Sequence, residues 1–251
     1  MNIIIAIPTY QRIDKLIRCI NSIRNQTYND WKIILMIDNQ DYETFLTYYS
    51  PQPENYILPF LARQQTGVIT AWNFVFEYLQ ANHADSYDAV LWSVDDVEWY
   101  PNALEEAVNT MTRLYPDTDG IIGTVQECPG REDYNGTVYG QVLIGKEFIK
   151  RYKDVNYQVC CPEYTHWYQD EELWKYACSL NKFTVCETVK LKHYHPGFIK
   201  TEKDETHLIP RGKIKIEDDK TYKQRIAKEL IWGKSWELVN KEEIKGESNG
   251  K

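Results

Sequence analysis

Apolar positions along the chain follow two alternating rhythms. Continuous runs at residues 3–7, 32–37 and 89–94, rich in Ile, Leu and Val, predict strands buried on both faces of a parallel sheet. Between them the spacing becomes three and four residues. Leu16, Ile17, Ile20 and Ile23 predict a helix for which Asp14 is the expected N-cap, and Ile69, Trp72, Phe76 and Leu79 predict another opened by Gly67. Pro101-Asn102 leads into a third, ending at Leu114. Residues 42–55 predict a helix that decays into a Pro-rich loop. Residues 56–61 predict a short strand, in which Pro59 argues against a central position. Strand and helix alternating in this way predict an α/β domain, a mostly parallel sheet with helices on both faces.

The second half reads differently. Strands are predicted at 120–125, 138–144 and 184–192, helices at 146–152 and from Asp170-Glu171-Glu172-Leu173 onward, and the last strand runs into His193-Tyr194-His195. Beyond about residue 200 the chain is highly charged. One amphipathic helix is predicted over 221–239, with Tyr222, Ile226, Leu230 and Ile231 as its stripe and Trp232 and Trp236 nearby. It is expected to dock on the preceding domain, the alternative being a membrane-surface or subunit contact. The resulting division is a domain over 1–200 (halves 1–118 and 119–200), a linker and helix over 201–240, and a polar, disordered tail over 241–251.

Composition narrows the function. With 251 residues and 43% hydrophobic content the chain can bury one large core. A net charge of −8 disfavours a protein that tracks nucleic-acid phosphates. The six cysteines show neither a CxxC pair nor zinc-finger spacing, which predicts a reducing compartment. The first apolar run is too short for a signal peptide and no stretch is long enough to span a bilayer, so the expected location is cytoplasmic.

The chemistry concentrates where the third buried run ends, at Asp95-Asp96. Ligands of open α/β folds bind outside the carboxyl ends of the strands. Two adjacent carboxylates repel, and a divalent cation with oxygen preference (Mn²⁺ or Mg²⁺), shared with substrate phosphates, makes both charges tolerable. The alternative is a helix-capping or loop pair.

Several motifs together resemble one family. Residues 4–12 (Ile-Ile-Ala-Ile-Pro-Thr-Tyr-Gln-Arg) resemble the opening strand and Pro-Thr-Tyr-Asn-Arg turn of the GT-A nucleotide-sugar glycosyltransferases of family 2. Ser22-Ile23 with Gln26-Thr27-Tyr28 is similar to the family's next segment, Asp38 stands in its Asp-Asp-Gly-Ser turn, and Gly67, Ala71 and Asn73 in its Gly-x-x-x-Ala-x-Asn helix. Asp95-Asp96-Val97 occupies the Asp-x-Asp position, and residues 169–173 resemble the Glu-Asp-x-x-Leu helix start. The likeness covers about the first two hundred residues. It departs from the family at Ile37, Asn39-Gln40, Val97 and Gln169.

The resemblance implies a GT-A fold with a C-terminal helical extension. It implies an inverting transfer of a sugar from a nucleoside diphosphate sugar, UDP by default, to a hydroxyl acceptor. Asp96 would bind Mn²⁺ or Mg²⁺, joined by a late histidine, His195 in preference to His193. Asp95 would face the ribose and Asp38 the nucleobase, with a helix-capping turn as the other reading of Asp38. Pro8, Thr9 and Tyr10 would embrace the nucleoside, Arg12 would reach a phosphate, and Arg63 is a second candidate for the donor side; the alternative for both arginines is a solvated surface charge, which is the preferred reading of Arg63. Asp170 would be the general base with Glu171 in reserve, against a reading in which both are simply first-turn helix acids. Trp167 and Tyr168 would stack on the acceptor, while Trp174 is expected to serve packing. The partners implied are the sugar donor and a glycan, lipid-linked or other hydroxyl acceptor. Two rival functions are a nucleotidyltransferase, which lacks here its Gly-rich basic loop, and a non-catalytic binding protein on the same fold.

Overall fold

The structure, a computed structural model, describes residues 1–38, 41–49, 57–62, 67–195 and 211–234. The order of elements is β1 (Ile3–Thr9), α1 (Ile13–Arg24), β2 (Trp31–Ile37), α2 (Tyr42–Tyr49), β3 (Ile57–Leu61), α3 (Val68–His83), β4 (Ala89–Trp92), β5 (Val97–Trp99), α4 (Ala103–Leu114), β6 (Ile121–Glu127), β7 (Gly136–Gly145), α5 (Lys146–Ile149), α6 (Gln169–Ser179), β8 (Phe183–His193) and α7 (Arg211–Ala227). The strands form a single sheet in the order β3-β2-β1-β4-β7-β6-β8-β5. Pro59 sits on β3, an edge strand, where its missing N–H costs no ladder bond.

Alternation along β1 shows how both faces are filled. Ile3, Ile5 and Ile7 pack with Ile33, Leu35 and Ile37 of β2 against α1 and α4. Ile4 and Ala6 point the other way, with Ile34 and Met36, against α3, α5 and α6. A strand whose every residue meets a core must be apolar throughout, which is why these runs show no polar alternation.

β1 pairs in parallel with β2 on one side and with β4 on the other. The chain winds outward through β2 and β3 and then returns to lay β4 against the opposite side of β1. This reversal opens a crevice at the carboxyl ends of β1 and β4. Thr9, Asp38 and Asp95 therefore emerge at one edge of the sheet. Beyond β4 the sheet is mixed, with β7 antiparallel to both β4 and β6 and β8 parallel to β6.

Three details differ from the sequence reading. Helix α1 starts at Ile13 after Arg12, so Asp14 lies in its first turn, and Ile17 is exposed. The three-residue strand β5, antiparallel to β8, is too short to leave a hydrophobic signature. The last helix begins at Arg211, ten residues before the expected start, and ends at Ala227. Trp236 and the tail lie outside the described residues.

Helix α7 docks on the body as expected, through Tyr222 of the expected stripe and, beyond the helix, Ile231 and Trp232, but not through Ile226. Ile226 is exposed, and the docking residues are Ile214, Asp218, Tyr222 and Arg225, spaced by four, four and three so that they share one face. Among the described residues no helix is long and apolar enough to cross a membrane.

Candidate active site

The crevice forms a cleft of about 480 Å³. Pro8, Thr9, Tyr10, Arg12 and Asp38 line one part of it, Asp95, Asp96, His193 and His195 another, and Gln141, Thr165, His166, Trp167 and Ile214 a third.

The acidic doublet lies buried in the wall, Asp95 at 3% and Asp96 at 2% exposure. Thr9 Oγ1 donates to Asp95 Oδ2 at 2.8 Å across the switch point, tying the end of β1 to the end of β4. The Arg12 guanidinium reaches both acids through Nη1, at 3.0 Å from Asp95 Oδ1 and 3.2 Å from Asp96 Oδ2. Here Arg12 offsets the charge of the doublet. Burial and the neighbouring Asp96 charge push the Asp95 carboxyl up against the pull of Arg12. Burial would raise Asp96 too, but the hydrogen bond and charge of His193, with Arg12, hold it well below the usual carboxylate range.

His193 arrives beside Asp96 through β5. The antiparallel pairing sets Val97 opposite His193, and the Tyr194 N–H donates to the Asp96 carbonyl at 2.9 Å. Gln126 donates its amide N–H to the Tyr134 carbonyl, so its Oε1 faces His193 Nδ1 at 2.9 Å as an acceptor. The Nδ1 proton is thereby fixed and Nε2 points at Asp96 Oδ1, 3.4 Å away. His195 lies next to it, ring centroids 5.5 Å apart. Between them Tyr194 turns to the opposite face, its hydroxyl on Glu98 and its ring under the Arg18 guanidinium.

Among the described residues no group of three or more His, Cys, Asp or Glu forms a ready-made metal cage. The donor set nevertheless fits a Mg²⁺- or Mn²⁺-type ion, which takes one or two carboxylates from the protein and completes its sphere with phosphates and water. Asp96, His193 and His195, with carboxylate and imidazole donors, all line the cleft.

Asp41, three residues after Asp38, caps the start of α2, and its N–H donates to the Asp38 carbonyl at 2.9 Å. Asp41 Oδ1 accepts from the Thr44 N–H at 3.4 Å at the start of α2, and its Oδ2 accepts from the Gln11 N–H at 2.7 Å. Asp38 is buried and lines the cleft. Arg63 lies outside the described residues.

The acidic run at the start of α6 splits three ways. Glu172 is buried, receiving the Tyr164 hydroxyl at 2.6 Å and Arg225 Nε at 2.7 Å. Glu171 pairs with Lys175 at 2.8 Å and accepts from the Tyr222 hydroxyl. Asp170 is half-buried behind the cleft wall. A Cβ on Gly140 of β7 would lie 3.5 Å from its Oδ2, and the next residue, Gln141, lines the cleft. Burial pushes the Asp170 carboxyl above its ordinary range, against two backbone N–H groups that favour the charged form.

Of the two rings assigned to the acceptor side, Trp167 lines the cleft and Tyr168 does not. Tyr168 stacks on Tyr222 of α7 at 4.1 Å and gives its hydroxyl to Asp219. Trp174 stacks on Tyr139 at 4.6 Å, a packing role. Sequence reasoning passed over Gln126, Gln141, His166, Ile214 and Asp218. Gln126 and Gln141 carry a visible signal, a buried amide on an otherwise apolar strand; a lone Asp in a charged helix carries none.

The chain matches the model of "Glycosyl transferase family 2" over residues 4–175. It belongs to glycosyl transferase family 2. Among curated protein sequences, none matches it. Similar solved structures are those of S. aureus TarS. The 1-349 form has a TM-score of 0.58 at 13% identity, covering 78% of this chain and 61% of that one. A longer TarS has a TM-score of 0.57 at 12%, covering 78% and 37%. The 1-349 form in complex with UDP has a TM-score of 0.58 at 12%, covering 78% and 61%. At this identity the likeness carries the fold, which is the GT-A arrangement expected from the sequence. The chain spans about three fifths of the shorter TarS form.

Proposed function

We propose that this family 2 chain transfers a sugar from a nucleoside diphosphate sugar, with UDP as the donor nucleotide, to a hydroxyl acceptor with inversion at the anomeric carbon. The observation that carries the reading is the buried doublet Asp95-Asp96 at the switch point, in one cleft with Asp38 and the Pro8-Thr9-Tyr10 turn. The UDP complex of a protein with the same fold supports the choice of nucleotide.

In this reading Asp38 accepts from the base and Asp95 from the ribose, with Pro8, Thr9 and Tyr10 closing around the nucleoside. Asp96 and His195, assisted by His193, hold Mn²⁺ or Mg²⁺. Such an ion supplies charge compensation for the departing diphosphate. Arg12, already against both acids, contributes a fixed positive charge on the same side. Trp167 offers a ring face to the acceptor, and Asp170 takes the acceptor's hydroxyl proton as its oxygen attacks.

A thermal-shift screen of UDP-, GDP- and dTDP-sugars with and without Mn²⁺, followed by assay of free nucleoside diphosphate, tests this reading. UDP-sugars should stabilise the protein most, and Asp96→Ala should lose the Mn²⁺-dependent part of that shift. Release of pyrophosphate from a nucleoside triphosphate would point instead to nucleotidyl transfer, and binding with no turnover to a non-catalytic binding protein. Asp38→Ala should weaken UDP roughly tenfold or more, the loss of a charge-assisted hydrogen bond worth about 1.5–3 kcal/mol; equal affinity would remove Asp38 from the base site.

A further inference from the structure

Helix α7 lies beyond the segment that matches the family, yet it is joined to the cleft at its most consequential wall. Asp218, 2% exposed, accepts three consecutive backbone N–H groups: Thr165 at 3.0 Å, His166 at 2.9 Å and Trp167 at 2.9 Å. Successive amides turned inward in this way form a concave site for an anion, and here the anion is a side chain of the protein. Side chains of these same three residues line the cleft. From the other side the loop presses on Gly67, the N-cap of α3, where a Cβ would lie 2.5 Å from the Thr165 carbonyl oxygen. The loop is thus gripped between Gly67 and Asp218.

The grip continues toward the candidate base. Tyr168 follows the loop with a left-handed φ of 73° and forms the N-cap of α6. Its ring lies on Tyr222 and its hydroxyl on Asp219. Tyr222 and Arg225 then hold Glu171 and Glu172. Among the described residues, Asp170 is the acid opening α6 that α7 does not bind, and it lies behind the cleft wall next to Gly140, the neighbour of the cleft residue Gln141. Ile214, one turn before Asp218, enters the cleft itself.

We propose that α7 is a working part of the acceptor side of the cleft, with Asp218 as the positioning residue that fixes the 165–167 loop and, through it, the placement of Trp167 and Asp170. This rests on the glycosyltransferase reading. A carboxylate accepting three amide hydrogens holds a loop that has no strand or helix of its own. Misplacement of a catalytic group by about 1 Å can cost about a hundredfold in rate. The nucleotide side is built by β1, β2 and the end of β4, whereas the hydrogen bonds of Asp218 among the described residues go to the 165–167 amides.

The test uses the full chain with Asp218→Asn, near in shape but lacking the charge, and Asp218→Glu as the conservative variant. Hydrogen exchange of the amides of residues 165–167 is measured first, then UDP affinity, then UDP release from UDP-glucose and the other UDP-sugars of the screen. Asp218→Asn should speed exchange of these amides at least tenfold, leave UDP affinity within about twofold, and lower turnover at least tenfold; Asp218→Glu should recover part of the turnover. Wild-type turnover with a loosened loop would overturn the proposal, as would equal losses of UDP affinity and turnover, the mark of a general stability brace. Unchanged exchange would overturn it at its first step. Were the wild-type chain neither to bind nor to turn over any nucleotide sugar, the functional reading would fall, and the exchange result would still report separately on Asp218.

Discussion

Asp170→Asn is expected to lower sugar transfer at least a hundredfold while leaving the protein as stable as the wild type at neutral pH, or more so. The loss follows from the role, since a positioned general base contributes about 10²- to 10⁴-fold. The stability follows from the environment. Burial raises the Asp170 carboxyl above its ordinary range, so the folded state holds this proton more tightly than the unfolded chain does. For an acid shifted upward, stability is full at low pH and is lost as pH rises from the unfolded pKa through the folded one. At neutral pH the ionised side chain thus opposes folding, and a neutral amide removes that cost. The melting temperatures of the two proteins should converge on acidification. The acid limb of the wild-type pH–rate profile should lie above the ordinary carboxylate range, because the base must first lose its proton. Glu171→Gln provides the contrast: Lys175 and Tyr222 already engage Glu171, so transfer should persist. If Asp170→Asn instead melts lower and retains activity, Asp170 is a first-turn helix acid and nothing more.

How far the sequence disclosed this site depends on how local each signal is. β1, β2 and β4 are buried on both faces over Ile3–Ile7, Ile33–Ile37 and Ala89–Trp92, so these stretches are apolar and their ends, with Thr9, Asp38 and Asp95, can be placed from the sequence alone. The doublet announced itself because charge directly after such a strand is conspicuous. His193 was harder to place, since its position beside Asp96 depends on β5, three residues long, and on a pairing between segments nearly a hundred residues apart. Tyr168 was assigned to the acceptor because aromatic rings near a base suggest stacking, but its left-handed backbone turns the ring toward Tyr222. No local pattern encodes that turn. The least legible element was α7. Its docking face is Ile214, Asp218, Tyr222 and Arg225; hydrophobic periodicity marks Tyr222 but not Asp218 or Arg225, whose contacts are hydrogen bonds and ion pairs. The apolar residues that do cluster, from Leu230 to Trp232, belong to the turn beyond the helix, which is why their spacing predicts a helix running past Ala227.

That polar docking face leads to the largest expected effect on stability. Glu172 and Arg225 have side chains 3% and 4% exposed. Arg225 reaches Glu172 through Nε at 2.7 Å and Nη2 at 3.0 Å. The same carboxylate accepts from the Tyr164 hydroxyl and from the Trp232 N–H, joining α6, the 161–164 turn, α7 and the segment after it. Glu172→Ala removes the acceptor common to all of these and leaves a buried guanidinium with Glu163, a half-exposed partner, on Nη1. Breaking one side of a buried pair costs about 3–5 kcal/mol, most of it from the charge left behind. For a chain of this size that lowers the melting temperature by roughly 10 °C. Glu172→Leu combined with Arg225→Met should be less damaging than Glu172→Ala alone, because it removes both charges together; Tyr164 and Trp232 would still lack their acceptor. UDP affinity of the folded variant should stay near wild type, since the nucleotide side is built at the far end of the sheet's switch point. A Glu172→Ala protein melting within about 2 °C of wild type would correspond to less than about 1 kcal/mol. Such a result would mean that Arg225 finds water or another acceptor, and that α7 is not held to the catalytic domain through this pair.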